Sequence, residues 1–115
     1  MKSFQIAATA AFALAVSGCA TIRGGPNGDE LVGRTLQVEA ANGQVSRMGF
    51  REDASVRAVF GSRSVTGRWQ VRGDELCFWW GNAPRECWPY PAPFERGRSR
   101  SLTSDRGNQV TVTLL

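Results

Sequence analysis

From Arg34 to the last residue, apolar and polar side chains alternate in short runs, and no stretch repeats at a helical spacing. Gly, Asn and Asp interrupt the runs every eight to twelve residues. A period of two broken by turn-forming residues predicts half-buried antiparallel strands. Eight are expected, over residues 34–40, 44–51, 55–60, 65–72, 75–80, 86–91, 98–104 and 108–114.

Successive side chains of a strand point to opposite faces, so each turn length is tested by whether it gathers apolar residues on one face. A three-residue loop, Ala41-Asn42-Gly43 with Gly43 left-handed, sets Leu36 opposite Met48 with Val38 on the same side. A two-residue Asn-Gly turn would point Met48 away. The loop Glu52-Asp53-Ala54 pairs Phe50 with Val56 and Met48 with Ala58, although Ala is poorly suited to a left-handed position. A four-residue loop over residues 61–64 places Phe60 beside Val65. Gly73-Asp74 fits a two-residue type II′ turn that pairs Val71 with Leu76 and Trp69 with Phe78. The last hairpin pairs Leu102 with Val110, and Val112 and Leu114 continue that face. The final strand is expected to pair with the first and close the sheet.

Residues 67–90 are the centre of this pattern, with all four Trp, the single Tyr and two of the three Cys. With Cys77 opposite Cys87, Leu76 faces Trp88, and the inside agrees with that set by the Gly73-Asp74 turn. The expected core is Trp69, Val71, Leu76, Phe78, Trp88 and Tyr90, with the disulfide on the outer face. Pro89, Pro91 and Pro93 cannot donate to a ladder, so the sixth strand is expected to be irregular or open on one side. The fold class is therefore all-β: a small antiparallel eight-stranded up-and-down β-barrel or highly curved meander sheet.

The pattern changes before Arg34. Lys2, an apolar run from Phe4 to Val16, and the small residues Ser17 and Gly18 have the order of a secretory signal peptide over residues 1–18. Residues 20–33 are rich in Gly, Pro and Asn and are expected to be a flexible tether. The division is then residues 1–18 signal, 19–33 Cys19 with its tether, and 34–115 barrel. Removal of the signal takes the only Lys and leaves 13 Arg against 10 Asp and Glu, a formal +3. The chain has no His. Ser-His and Cys-His dyads, His-ligated metals and lysine Schiff bases are thereby excluded, and no metal or cofactor is implied. With Cys19 set aside, Cys77 and Cys87 are an even pair, as an oxidising compartment would join.

The candidate contact residues lie on the outside. Trp79 and Trp80 are adjacent and must face opposite ways. Pairing puts Arg68 and Arg85 on either side of Trp79, a candidate cation–π stack. Arg68, Trp79, Trp80 and Arg85 are therefore the candidate surface contacts, for an envelope protein or another ligand. Arg96, Arg98 and Arg100 form a basic run suited to anionic lipid headgroups. Arg98 and Arg100 share parity with Leu102, and one that points inward needs a carboxylate or water. The pairs Asp29-Glu30, Glu52-Asp53 and Asp74-Glu75 sit in tether or turns and do not converge on a cleft. A barrel this small is expected to be filled by its own side chains.

Val16-Ser17-Gly18-Cys19 resembles the lipobox of bacterial lipoproteins. That resemblance implies lipid on the Cys19 thiol, cleavage before Cys19 and acylation of the new amine. With Ala20 next, it implies the outer membrane, facing the periplasm. Eight meandering strands behind such a signal, with Gly67-Arg68-Trp69 similar to a Gly-x-Trp motif, resemble the small lipocalin-like barrels of bacterial lipoproteins over residues 34–115. The lipoprotein-type inhibitors of metalloproteases are a second similar group. The sequence thus points to a lipid-anchored, non-enzymatic binding or scaffold domain, with no nucleic acid as partner. A periplasmic protease inhibitor is the alternative, and a carboxylate-dependent hydrolase a weaker one.

Overall fold

The alternating runs all become strands. The structure, a computed structural model, describes residues 25–115, and the signal peptide and Cys19 lie outside the described residues. The strands are β1 (Thr35–Ala40), β2 (Val45–Phe50), β3 (Ser55–Phe60), β4 (Arg63–Arg72), β5 (Glu75–Trp79), β6 (Glu86–Pro89), β7 (Ser99–Thr103) and β8 (Gln109–Leu114). They form one antiparallel sheet in the order β6-β5-β4-β3-β2-β1-β8-β7. Because β1 pairs with β8, Leu36 opposite Leu114 and Val38 opposite Val112, the sheet curls into a nearly closed up-and-down barrel with its seam between β6 and β7. Among the described residues there is no α-helix, only a short 3₁₀ turn at Asp29–Leu31.

The registers follow from the turns and, between β5 and β6, from the disulfide. Leu36 lies opposite Met48, Phe50 opposite Val56, Val71 opposite Leu76, Leu76 opposite Trp88 and Leu102 opposite Val110. Gly43 is left-handed at φ 88°, and Ala54 takes the same region at φ 73° despite its Cβ. One loop differs from expectation. Gly61, at φ 61°, opens a two-residue turn instead of a four-residue loop, so Phe60 pairs with Arg63 and Ala58 with Val65. The shift is two residues, which preserves every face.

The inward side chains fill most of the barrel, with Leu36, Phe50, Val56, Leu76, Phe78, Tyr90, Val112 and Leu114 all buried. Phe78 meets Trp88 edge-on at 4.8 Å between centroids, and Phe50 meets Trp69 likewise at 5.3 Å. Trp69 and Val71 are only partly buried. Cys77 and Cys87 are bridged with Cα atoms 4.0 Å apart, and both are buried although they point away from the core.

The two ends of the barrel differ. One is closed by residues that the sequence assigns to the tether. Leu31 is fully buried in the core, Gly33 N donates to Phe50 O at 2.8 Å, and Val32 bridges to Phe50. Gly28 packs so closely on Trp69 and Val71 that an added Cβ would lie 2.7 Å from the indole. The domain therefore begins near Gly28, not Arg34, because the barrel end needs an apolar cover and Leu31 supplies it. The long β6–β7 connection completes this end. Tyr90 and Phe94 are buried there, 5.2 Å apart, and both bond to Glu30.

The seam is bridged at both ends by hydrogen bonds. Asp105 N donates to Cys87 O at 2.9 Å, and Asp105 Oδ1 accepts from Cys87 N at 2.9 Å. Near the closed end, Arg100 donates to the carbonyls of Ala92 and Pro93 at 2.9 and 2.8 Å and lies 4.5 Å from the centre of the Phe94 ring. Arg100 thus finds two backbone carbonyls and an aromatic face where the sequence suggested a carboxylate or water.

Candidate functional site

The opposite end, where the turns after β1, β3, β5 and β7 gather, is not filled. A recess of about 550 Å³ opens there, walled by Phe78, Trp80, Trp88, Met48 and Val110 and rimmed by Glu86 and Asn108. The expectation that the barrel's own side chains fill it holds for the lower part and fails at this mouth. The reason is local. Ala40, inward by register and lining the recess, is small, and at the same end the inward-facing Val65 remains 43% exposed.

Trp80 is positioned by a glycine. Its ring stacks nearly parallel to Phe78, 13° between planes and 5.8 Å between centroids. A Cβ on Gly67 would meet Trp80 Cε3 at 2.6 Å and Trp79 O at 2.5 Å, so only Gly admits the indole against β4. Of the Gly67-Arg68-Trp69 triplet, Gly67 therefore packs beside Trp80, while Trp69 packs under Gly28 at the closed end.

The polar side of the recess is also fixed. Glu86 faces inward, paired across the sheet with Phe78. Asn108 Nδ2 donates to Glu86 Oε2 at 2.7 Å, and Asn108 N donates to the buried Ser104 hydroxyl at 3.1 Å. Glu86 is the one ionisable side chain lining the recess among the described residues. An aromatic wall facing one carboxylate suits a compact ligand with an apolar ring and a donor or cationic group. A glycosidase-type reaction needs two opposed carboxylates, and the recess presents one.

The candidate contact residues separate. Trp80 lines the recess, while Arg68 and Trp79, cross-strand partners, line an outer groove of about 360 Å³ with Ala54, Trp69 and Gln70. Arg85 is exposed in the β5–β6 turn and lines neither. The expected stack of Arg68 and Arg85 on Trp79 does not form. Among the described residues, the guanidinium–ring pairs are Arg63 on Phe60 and Arg100 on Phe94. The basic run likewise divides, for Arg98 pairs with Glu95 at 3.1 Å and Arg100 holds the seam. Glu75 lies within 4.8 Å of both cysteine sulfurs, but these are joined to each other and are not free to bind a metal.

Glu86 and Asn108 have no site role in the sequence pattern, and Met48 appears there only as an inward core residue. Glu86 was legible, since it shares parity with Trp88 and so points inward. Asn108 was not, because its place depends on a turn folding back across the open seam.

Compared with known proteins, the chain matches no family model, no curated protein and no solved structure.

Proposed function

We propose that this chain is a lipid-anchored envelope lipoprotein whose barrel binds a small ligand, without catalysis, in the recess beside Trp80. The observation that carries the binding reading is the lining of the recess, where Phe78, Trp80 and Trp88 face the Glu86 carboxylate. The lipobox-like Val16-Ser17-Gly18-Cys19 supports the anchor. The N-terminal segment meets the barrel at its closed end, so an anchored domain would direct its mouth away from the bilayer and toward the periplasm.

The binding reading is tested with residues 25–115, which hold all eight strands, the closing segment and the disulfide. Titration with the neutral apolar fluorophore N-phenyl-1-naphthylamine should give saturable fluorescence enhancement. Trp80→Ala should abolish it, and Trp79→Ala, outside the recess, should leave it intact. Equal responses in the two variants would overturn the assignment. The anchor is tested by fractionation: Cys19→Ser should move the protein out of the membrane fraction, and retention there would refute it.

A further inference from the structure

Two strand arginines, Arg47 of β2 and Arg57 of β3, and two at strand ends, Arg34 before β1 and Arg51 after β2, surround a glycine along one outer groove. Gly49 lies in β2, with Arg47 and Arg51 two residues to either side on the same face. Arg57 on β3 is directly opposite Gly49, and Thr35 on β1, next to Arg34, is opposite on the other side. Arg34, Arg47, Arg51 and Arg57 line a groove of about 600 Å³ with Gly49 and Thr35. All four are exposed.

None of the four has a carboxylate within ion-pair distance among the described residues, where Arg98–Glu95 is the one such pair. Arg47 reaches the Gln37 amide oxygen at 3.4 Å, and Arg57 reaches the Ser64 hydroxyl at 3.3 Å, both neutral. Asp53 accepts from Ser55 N and Oγ at 2.9 and 2.6 Å, and it feels the Arg51 charge without forming an ion pair with it. Same-face neighbours along a strand are about 7 Å apart and cross-strand partners about 5 Å apart. Arg47 and Arg57 thus flank Gly49 closely, and Arg34 and Arg51 line the same concavity from the strand ends.

Gly49 is the second observation. The other strand glycine, Gly67, is required because a Cβ would collide with Trp79 and Trp80. Gly49 does not have a left-handed φ, and a Cβ there would meet nothing within 4 Å. Neither backbone conformation nor packing demands Gly at this place, and Gly weakens a strand interior. Its effect is to leave the floor of the arginine groove open.

We infer that this groove receives the phosphate of an anionic phospholipid headgroup. Guanidinium forks match phosphate oxygens, and the groove opens at the closed end of the barrel, where Gly33 and Arg34 line it. The choice of lipid over a soluble phosphate rests on the anchored reading of Cys19. Gly25 lies against Gly73 at the same end, and it is six steps along the chain from Cys19, a reach of about 20 Å at full extension. An anchored barrel therefore keeps this groove near the headgroup layer while its mouth points outward.

The test uses the full mature chain, purified in dodecyl maltoside micelles, with backbone amide NMR shifts as readout. Micelles doped with phosphatidylglycerol should shift the Gly49 and Arg57 amides saturably, and phosphatidylcholine should do so far less. Arg47→Gln and Arg57→Gln should each weaken the response by about fivefold. Gly49→Leu, which the open space accommodates, should block it with the remaining spectrum unchanged, and Arg72→Gln should leave it intact. No saturable shift with phosphatidylglycerol, or an undiminished one in Gly49→Leu, overturns the inference. So does a response to inorganic phosphate without one to the lipid. Membrane fractionation of Cys19→Ser reports separately on the anchor, so either reading can fail while the other stands.

Discussion

The hydroxyl of Tyr90 donates to the carboxylate of Glu30, tying the segment before β1 to the connection after β6. The amide of Phe94 donates to the same oxygen at 2.9 Å. These residues are sixty and more positions apart, and their meeting converts a Gly-rich leader into the floor of a barrel. With Leu31 beside them, they explain why one end is sealed and the other open.

Stability should fall at high pH because of this contact. Burial, then the bond to Glu30 and its charge, push the Tyr90 phenol well above its ordinary value of about 10. The folded state therefore keeps the proton when the unfolded chain releases it. The contribution is fully present below about pH 10 and is lost as pH rises further. Urea midpoints measured from about pH 8 to about pH 11 should decline in the wild type and stay flatter in Tyr90→Phe. Tyr90 is the only Tyr in the chain, so an equally steep decline in the variant would place the effect elsewhere.

Leu31→Ala should destabilise the domain by about 2–5 kcal/mol, as expected for a fully buried Leu. Glu30→Ala should cost about 1–3 kcal/mol by leaving the Phe94 amide without its acceptor. Chemical denaturation of both variants checks this. A change near zero in Leu31→Ala would return the segment to the role of a tether.

Two glycines should respond in opposite ways to Ala. Gly67→Ala forces the backbone at Trp79 and the Trp80 ring to move, at a cost of about 1–3 kcal/mol, and should perturb ligand uptake at the mouth. Gly49→Ala meets no neighbour and should be neutral or slightly stabilising. Thermal denaturation separates them, and equal losses would contradict the packing described.

Ala54 sits left-handed, where a Cβ crowds the following carbonyl. Ala54→Gly should relieve this and raise stability by up to about 1 kcal/mol. A lower urea midpoint would indicate that the methyl group contributes more by packing than the backbone loses.

Replacing Cys77 and Cys87 together by Ala should lower stability by about 2–3 kcal/mol, the value for a short loop closed by a disulfide. An unchanged midpoint under oxidising conditions would show that the seam contact through Asp105 is sufficient to hold β6 in place.

The amino-acid sequence by itself determined the strands and almost every register. Leu36–Met48 and Trp69–Phe78 followed from local turn chemistry and a period of two, since a slip of one residue would expose the core, and Leu76–Trp88 followed from setting Cys77 opposite Cys87. The slip at Gly61 was invisible to this test because a shift of two keeps each side chain on its face. Only the tertiary structure decided what closes the barrel ends. Glu30 and Leu31 lie in a stretch whose composition reads as a linker, and their partners Tyr90 and Phe94 are far along the chain. The recess depends on how several turns meet, and the arginine groove on three adjacent strands read together. Pairing one strand at a time identified Trp79 and Arg85 as neighbours but not where their long side chains settle, which packing alone decides.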